Sequence, residues 1–130
     1  MRLAISLIIW IAGASITMAA FLSSLVLRVM PFHITDRERL IHAQCFWWSD
    51  AIIAMNPFWK IDIRGLENID TSQTYVMVAN HQSLADIVII YQTHTYFKWV
   101  AKEELLKVPF IGGLLWGNNH ILLSRGDFGS

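Results

Sequence analysis

From Leu3 to Leu27 the chain carries no charge, and Arg2 and Arg28 bracket the run. Ser6, Gly13, Ser15, Thr17, Ser23 and Ser24 dilute an otherwise apolar sequence. At about 1.5 Å per residue, a helix over this stretch can reach across a hydrocarbon core roughly 30 Å thick. A secretory signal peptide is the main rival, since Ala19 and Ala20 follow small residues. Against it, apolar character continues through Phe21, Leu22, Leu25, Val26 and Leu27, past any plausible cleavage point. A helix lying flat in the interface is the third option, but both faces are too apolar for a good amphipathic anchor. Length and flanks therefore favour a helix, residues 1–30, that spans or inserts deeply. Arg28, Arg37 and Arg39 follow it, which places the remainder on the cytoplasmic side of an inner or plasma membrane by the positive-inside bias.

Composition agrees with membrane contact. Hydrophobic residues make up 55% of the 130 and charged residues only 15%, so at most one compact domain accompanies the anchor. Ten basic residues balance ten acidic ones, leaving no field that would recruit nucleic acid. Cys45 is the one cysteine, which excludes an internal disulfide and suits a reducing compartment.

Pro31 ends the first helix region. Thr35-Asp36-Arg37-Glu38 then reads as a capping box with Thr35 at the N-cap. Ile41, Cys45, Trp48, Ile52 and Met55 follow at the spacing of one helical face, and Asn56-Pro57 stops the helix. Residues 31–57 are thus expected to form an amphipathic interfacial helix, Trp47 and Trp48 suiting the headgroup zone; burial against a domain is the equal alternative. Beyond residue 58, strands are expected at Trp59–Arg64, Thr74–Ala79, Tyr96–Ala101 and Asn119–Ser124. Helical segments are expected at Ser83–Gln92, Lys102–Lys107 and Phe110–Trp116. This alternation argues for an α/β sheet domain.

The apolar run of Tyr75 to Ala79 stops at Asn80-His81 and restarts after Ser83, so the join carries His81 and Asp86 in a His-x-x-x-x-Asp spacing. Ser83 is a good N-cap, and Asp86 three residues later can accept orphan amides at the helix start. On spacing alone that capping role accounts for Asp86 at least as well as chemistry does. The functional reading uses the same geometry. Asp86 would hold one nitrogen of His81 and leave the other free as a base. One His and one Asp are too few ligands for a metal.

The segments NHQSLAD and VPFIGGLLWGNNHILLSRGD, in this order, resemble the glycerophospholipid acyltransferase family, in its 1-acylglycerol-3-phosphate branch. The first motif of that family, Asn-His-x-Ser-x-x-Asp, is matched at Asn80, His81, Ser83 and Asp86, and Gly112, Gly117 and Arg125 stand in family-like places. The resemblance covers roughly Gly65 to Ser130 and implies that residues 58–130 are the N-terminal part of an acyltransferase domain. It implies acyl transfer from acyl-CoA or acyl carrier protein to the free hydroxyl of a lysophospholipid, without a metal or cofactor. His81 would be the base and Asp86 its orienting carboxylate, with Asn80 and Ser83 capping the motif. Arg125 and Lys102 would hold the acceptor phosphate. The family's third motif, Phe-Pro-Glu-Gly-Thr-Arg, is absent from the sequence, so a membrane-anchored module without turnover is the alternative.

Overall fold

The computed structural model describes residues 2–31, 33–70, 72–108 and 111–124. Helix α1 (Arg2–Val29) and helix α2 (Ile34–Ala54) precede a 3-10 turn at Leu66–Asn68 and helix α3 (Ala85–Tyr91). Strand β1 (Val100–Lys102), a 3-10 turn at Glu103–Lys107, helix α4 (Ile111–Gly117) and strand β2 (Ile121–Leu123) complete the order.

Helices α1 and α2 pack antiparallel along most of α2. Gly13 leaves room for Met55 and Ile52 near its α-carbon. Trp48 donates its indole N–H to Thr17 Oγ1 at 3.1 Å, and Gln44 Nε2 donates to the carbonyl of Ala20. At the turn between the helices, Arg37 Nη1 donates to Arg28 O at 3.0 Å. Small residues on α1 permit this approach, and Ala20, Ser24 and Ile41 are buried in the seam. The opposite face of α1 exposes Ile11, Met18, Leu22, Leu25 and Val26. Leu3–Val29 is long and apolar enough to cross a membrane, and only 6% of its most apolar window is buried. Of the two tryptophans, Trp48 is tucked against α1, while Trp47 is 58% exposed.

The last turns of α1 also seat α4, which explains the glycines there. A side chain on Gly113 would come within 2.6 Å of Phe21, and one on Gly117 would enter the space of the Arg28 guanidinium. Arg28 donates to Gly113 O at 2.9 Å and lies 4.3 Å from the centre of the Trp116 ring. Gly112 closes against the backbone carbonyl of Leu106.

On its other side α2 meets α3 and an aromatic core. His42 is 1% exposed and makes ring contacts with Phe46, Tyr91, Tyr96 and Phe97. Tyr91 accepts the indole N–H of Trp99 at 2.9 Å, and burial pushes its phenol well above the ordinary value. Strands β1 and β2 pair in parallel, Val100 with Ile121, Ala101 with Leu122 and Lys102 with Leu123. A connection of 3-10 turn and helix joins them, as a parallel pair requires. Lys98 ties this sheet to α2 by donating to Glu38 Oε2 at 3.2 Å and to Asn118 O at 2.6 Å. Asn119, in a left-handed conformation at φ 48°, also donates to Glu38.

The mixed helix and sheet class holds, but the sheet is smaller than the sequence pattern predicts. Trp59–Arg64 and Thr74–Ala79 form no strand, and the two later strands shorten to three residues each. A strand exists only as a paired ladder. The Thr74–Ala79 run has no partner among the described residues, leaving Val76 91% and Val78 88% exposed. The expected cap of α2 also moves. His33 occupies the N-cap and Thr35 lies inside the helix, because Glu38 is engaged by Lys98 and Asn119 and does not reach back.

His120 accepts the backbone N–H of Trp99 on Nδ1 at 3.2 Å, and burial, then Lys98 and His42, lower it from 6.5 to about 4. The folded state therefore stays neutral where the unfolded chain takes up a proton. Stability is retained above pH 6.5 and falls as pH drops toward about 4, by on the order of 3 kcal/mol for this residue. Urea unfolding in detergent at stepped pH will show this slope, reduced by His120→Asn and not abolished, since burial lowers His42 in the same sense. An unchanged slope in the variant would contradict the assignment.

Candidate active site

The segment Asn80 to Asp86 is a backbone turn closed onto one carboxylate oxygen. Asp86 Oδ2 accepts the amide N–H of Gln82 at 2.6 Å and that of Ser83 at 2.8 Å. His81 Nδ1 lies 3.0 Å from the same oxygen. Asp86 occupies the first turn of α3, where its charge also meets the positive end of the helix. Ser83 Oγ accepts the N–H of Ala85 at 3.2 Å, and the amides of Asp86 and Ile87 bond back to Ser83 O and Leu84 O in a tight lead-in turn. The N-cap of α3 falls at Leu84, one residue past the expected Ser83, while Ser83 Oγ and Asp86 Oδ2 accept amides of the lead-in turn. Asn80 is exposed, and among the described residues its side chain makes no hydrogen bond.

The carboxylate has no proton to give, so Nδ1–H of His81 is the donor in the pair, and Nε2 is left as the lone-pair nitrogen. The His81 side chain is 68% exposed, against 24% for Asp86. A ring with one nitrogen fixed to a carboxylate and the other open to solvent can accept a proton from an approaching hydroxyl. The N–H groups of Ser83 and Gln82, followed by the His81 ring, hold the Asp86 carboxyl below its ordinary 3.8.

Of the expected phosphate-binding cations, Lys102 ends β1 opposite Leu123, two residues before Arg125 in sequence. Lys102 makes no hydrogen bond or ion pair with His81 or Asp86 among the described residues. Arg125 lies outside the described residues.

The Acyltransferase family model matches residues 60–130, more than half of the chain, and takes in both the His81–Asp86 turn and the block ending at Arg125. The chain belongs to the acyltransferase family. The chain is 37% identical over 121 residues to the chloroplastic 1-acyl-sn-glycerol-3-phosphate acyltransferase LPAT1 of Arabidopsis thaliana, covering 90% of this chain and 33% of that protein. It is 35% identical over 92 residues to the chloroplastic 1-acyl-sn-glycerol-3-phosphate acyltransferase BAT2 of Brassica napus, covering 70% of this chain and 26% of the relative. A Helicobacter pylori protein of the same enzyme name is 36% identical over 77 residues, 57% of this chain and 32% of that one. The chain therefore spans about a quarter to a third of the length of these relatives. No solved structure matches.

Sequence reasoning missed a second polar cluster, in which Ser49 and Asp50 of α2 meet Gln92 and His94 just beyond α3. The partners are more than forty residues apart, apart from Ser49 with Val88, so no local spacing could have signalled them.

The geometry at Asp86 has a direct consequence in solution. Its three hydrogen bonds are complete above pH 3.8 and are lost as pH falls through the lowered carboxyl value. The amide proton shifts of Gln82 and Ser83, followed by NMR in micelles, will titrate together with a midpoint below 3.8. A midpoint at or above that value would contradict the arrangement.

Proposed function

We propose that this acyltransferase moves an acyl group from acyl-CoA or acyl carrier protein to the free hydroxyl of a lysophospholipid, converting 1-acylglycerol-3-phosphate to phosphatidate. The observation that carries this reading is the His81 ring, anchored at Nδ1 by Asp86 and open at Nε2, within a chain of the acyltransferase family. His81 Nε2 takes the proton from the acceptor hydroxyl as its oxygen attacks the thioester carbonyl. The new C–O ester bond forms, the C–S bond breaks, and the departing thiol carries away the proton held on the ring. Asp86 keeps the ring oriented and faces the imidazolium charge while it exists. Lys102 and Arg125 supply the charge for the acceptor phosphate. The names of the relatives support this choice of acceptor.

The reading includes attachment to the cytoplasmic face of the membrane, with α1 inserted and not fully crossing. Helix α1 meets α2 from Gly13 onward, and α2 carries Asp36, Arg37, Glu38, Arg39 and Asp50. A helix with so many charges does not enter hydrocarbon. The ten residues Leu3 to Ala12 that precede the contact reach about 15 Å, half of a hydrocarbon core. The exposed apolar face of α1 continues that insertion along the bilayer surface. A membrane-held base next to a lipid hydroxyl explains why an anchor precedes the catalytic turn.

Proteoliposomes carrying the chain, labelled acyl-CoA and 1-acylglycerol-3-phosphate provide the test. His81→Ala will lower transfer by about 10²–10⁴-fold with the fold retained. Transfer at the native rate in that variant would remove His81 as the base. No transfer from the native chain would instead favour the module without turnover.

A further inference from the structure

Helix α3 has seven residues, too few to hold itself in water, so its orientation comes from what grips it. Its buried face offers Val88 and Tyr91 to the core. Its far end is gripped by polar groups of α2. Ser49 is fully buried and donates its hydroxyl to Val88 O at 2.6 Å, in the last turn of α3. Beyond that turn the backbone tightens, Gln92, Thr93 and His94 donating to Ile89, Ile90 and Tyr91. The Gln92 side chain then turns back and donates to Ser49 Oγ at 2.8 Å and to Asp50 Oδ1 at 2.7 Å. His94, left-handed at φ 50°, closes the grip with Nε2 3.1 Å from Asp50 Oδ1 and its ring stacked on Phe46.

At the opposite end of the same helix, Asp86 holds the otherwise exposed His81. Asp86 is two residues, about 3 Å of helix rise, from the carbonyl that Ser49 grips. A rotation of α3 therefore passes directly to the carboxylate and to the ring it orients. We propose that Ser49, Asp50 and Gln92 form a positioning clamp that sets the orientation of α3 and hence of the His81–Asp86 pair. These are positioning residues and touch no substrate. The consequence for activity rests on the acyl transfer reading above, but the consequence for the ring does not.

The experiment compares the native chain, Gln92→Ala and Ser49→Ala in micelles, with histidine ring ¹⁵N shifts read at about pH 8.5, where imidazole is neutral. The native His81 will show one tautomer, protonated at Nδ1, and both variants will show a mixture. In proteoliposomes, kcat will fall roughly tenfold or more, with the acceptor KM within about twofold. Ser49→Thr, which keeps the hydroxyl, will recover both readouts in part. Gln92 is only half-buried, so its variant is expected to keep the fold, which circular dichroism checks. Should Ser49→Ala not fold, Gln92→Ala decides alone. A single native tautomer in Gln92→Ala would overturn the clamp. A tautomer mixture in the variants with no acyl transfer from any form, the native chain included, would uphold the clamp and overturn only the transferase reading.

Discussion

Helix α2 is the element on which the rest of the structure depends, because it is packed on two sides at once. One side receives the apolar α1 through Gln44, Trp48 and Ile52, and the adjacent side receives α3 and the sheet through Glu38, His42 and Ser49. Neither α3 nor α4, at seven residues each, would persist without such support. The same packing joins two environments that do not otherwise mix. A helix that exposes Leu3, Ile8, Trp10 and Ile11 is coupled, through one intervening helix, to a solvated histidine and carboxylate.

At the His81–Asp86 turn the largest effect is geometric. Ion pairs between exposed groups contribute little to stability, and His81 is mostly exposed. What matters is that one carboxylate oxygen receives two backbone amides as well as the ring. The amides fix the carboxylate, and the fixed carboxylate fixes the ring. Capping and orientation are then one arrangement and not rival uses of Asp86, and the tight turn before α3 is what makes both possible.

How much of this was legible in the sequence follows from the range of each interaction. The helices were readable because long apolar runs and a 3.6-residue period are local signals. The His81–Asp86 contact joins residues five apart and lies within one turn, so spacing could suggest it. The strand at Thr74–Ala79 was misread because an apolar run signals burial, whereas a strand also needs a partner, which the described residues do not provide. The capping box at Thr35 failed because its glutamate had distant partners, Lys98 and Asn119. The grip of Ser49 on Val88 and the seat of α4 under Phe21 and Arg28 join residues far apart in the chain, which no motif encodes.

The central claim is that the charge of Asp86, and not only its cap, serves the reaction at His81. Asp86→Asn separates the two, since the amide oxygen can still accept the N–H groups of Gln82 and Ser83 but carries no charge. Acyl transfer to 1-acylglycerol-3-phosphate in proteoliposomes is the most direct measurement. The account predicts a folded variant whose kcat falls by about 10²-fold or more. A folded Asp86→Asn chain that transfers acyl groups at the native rate would contradict it.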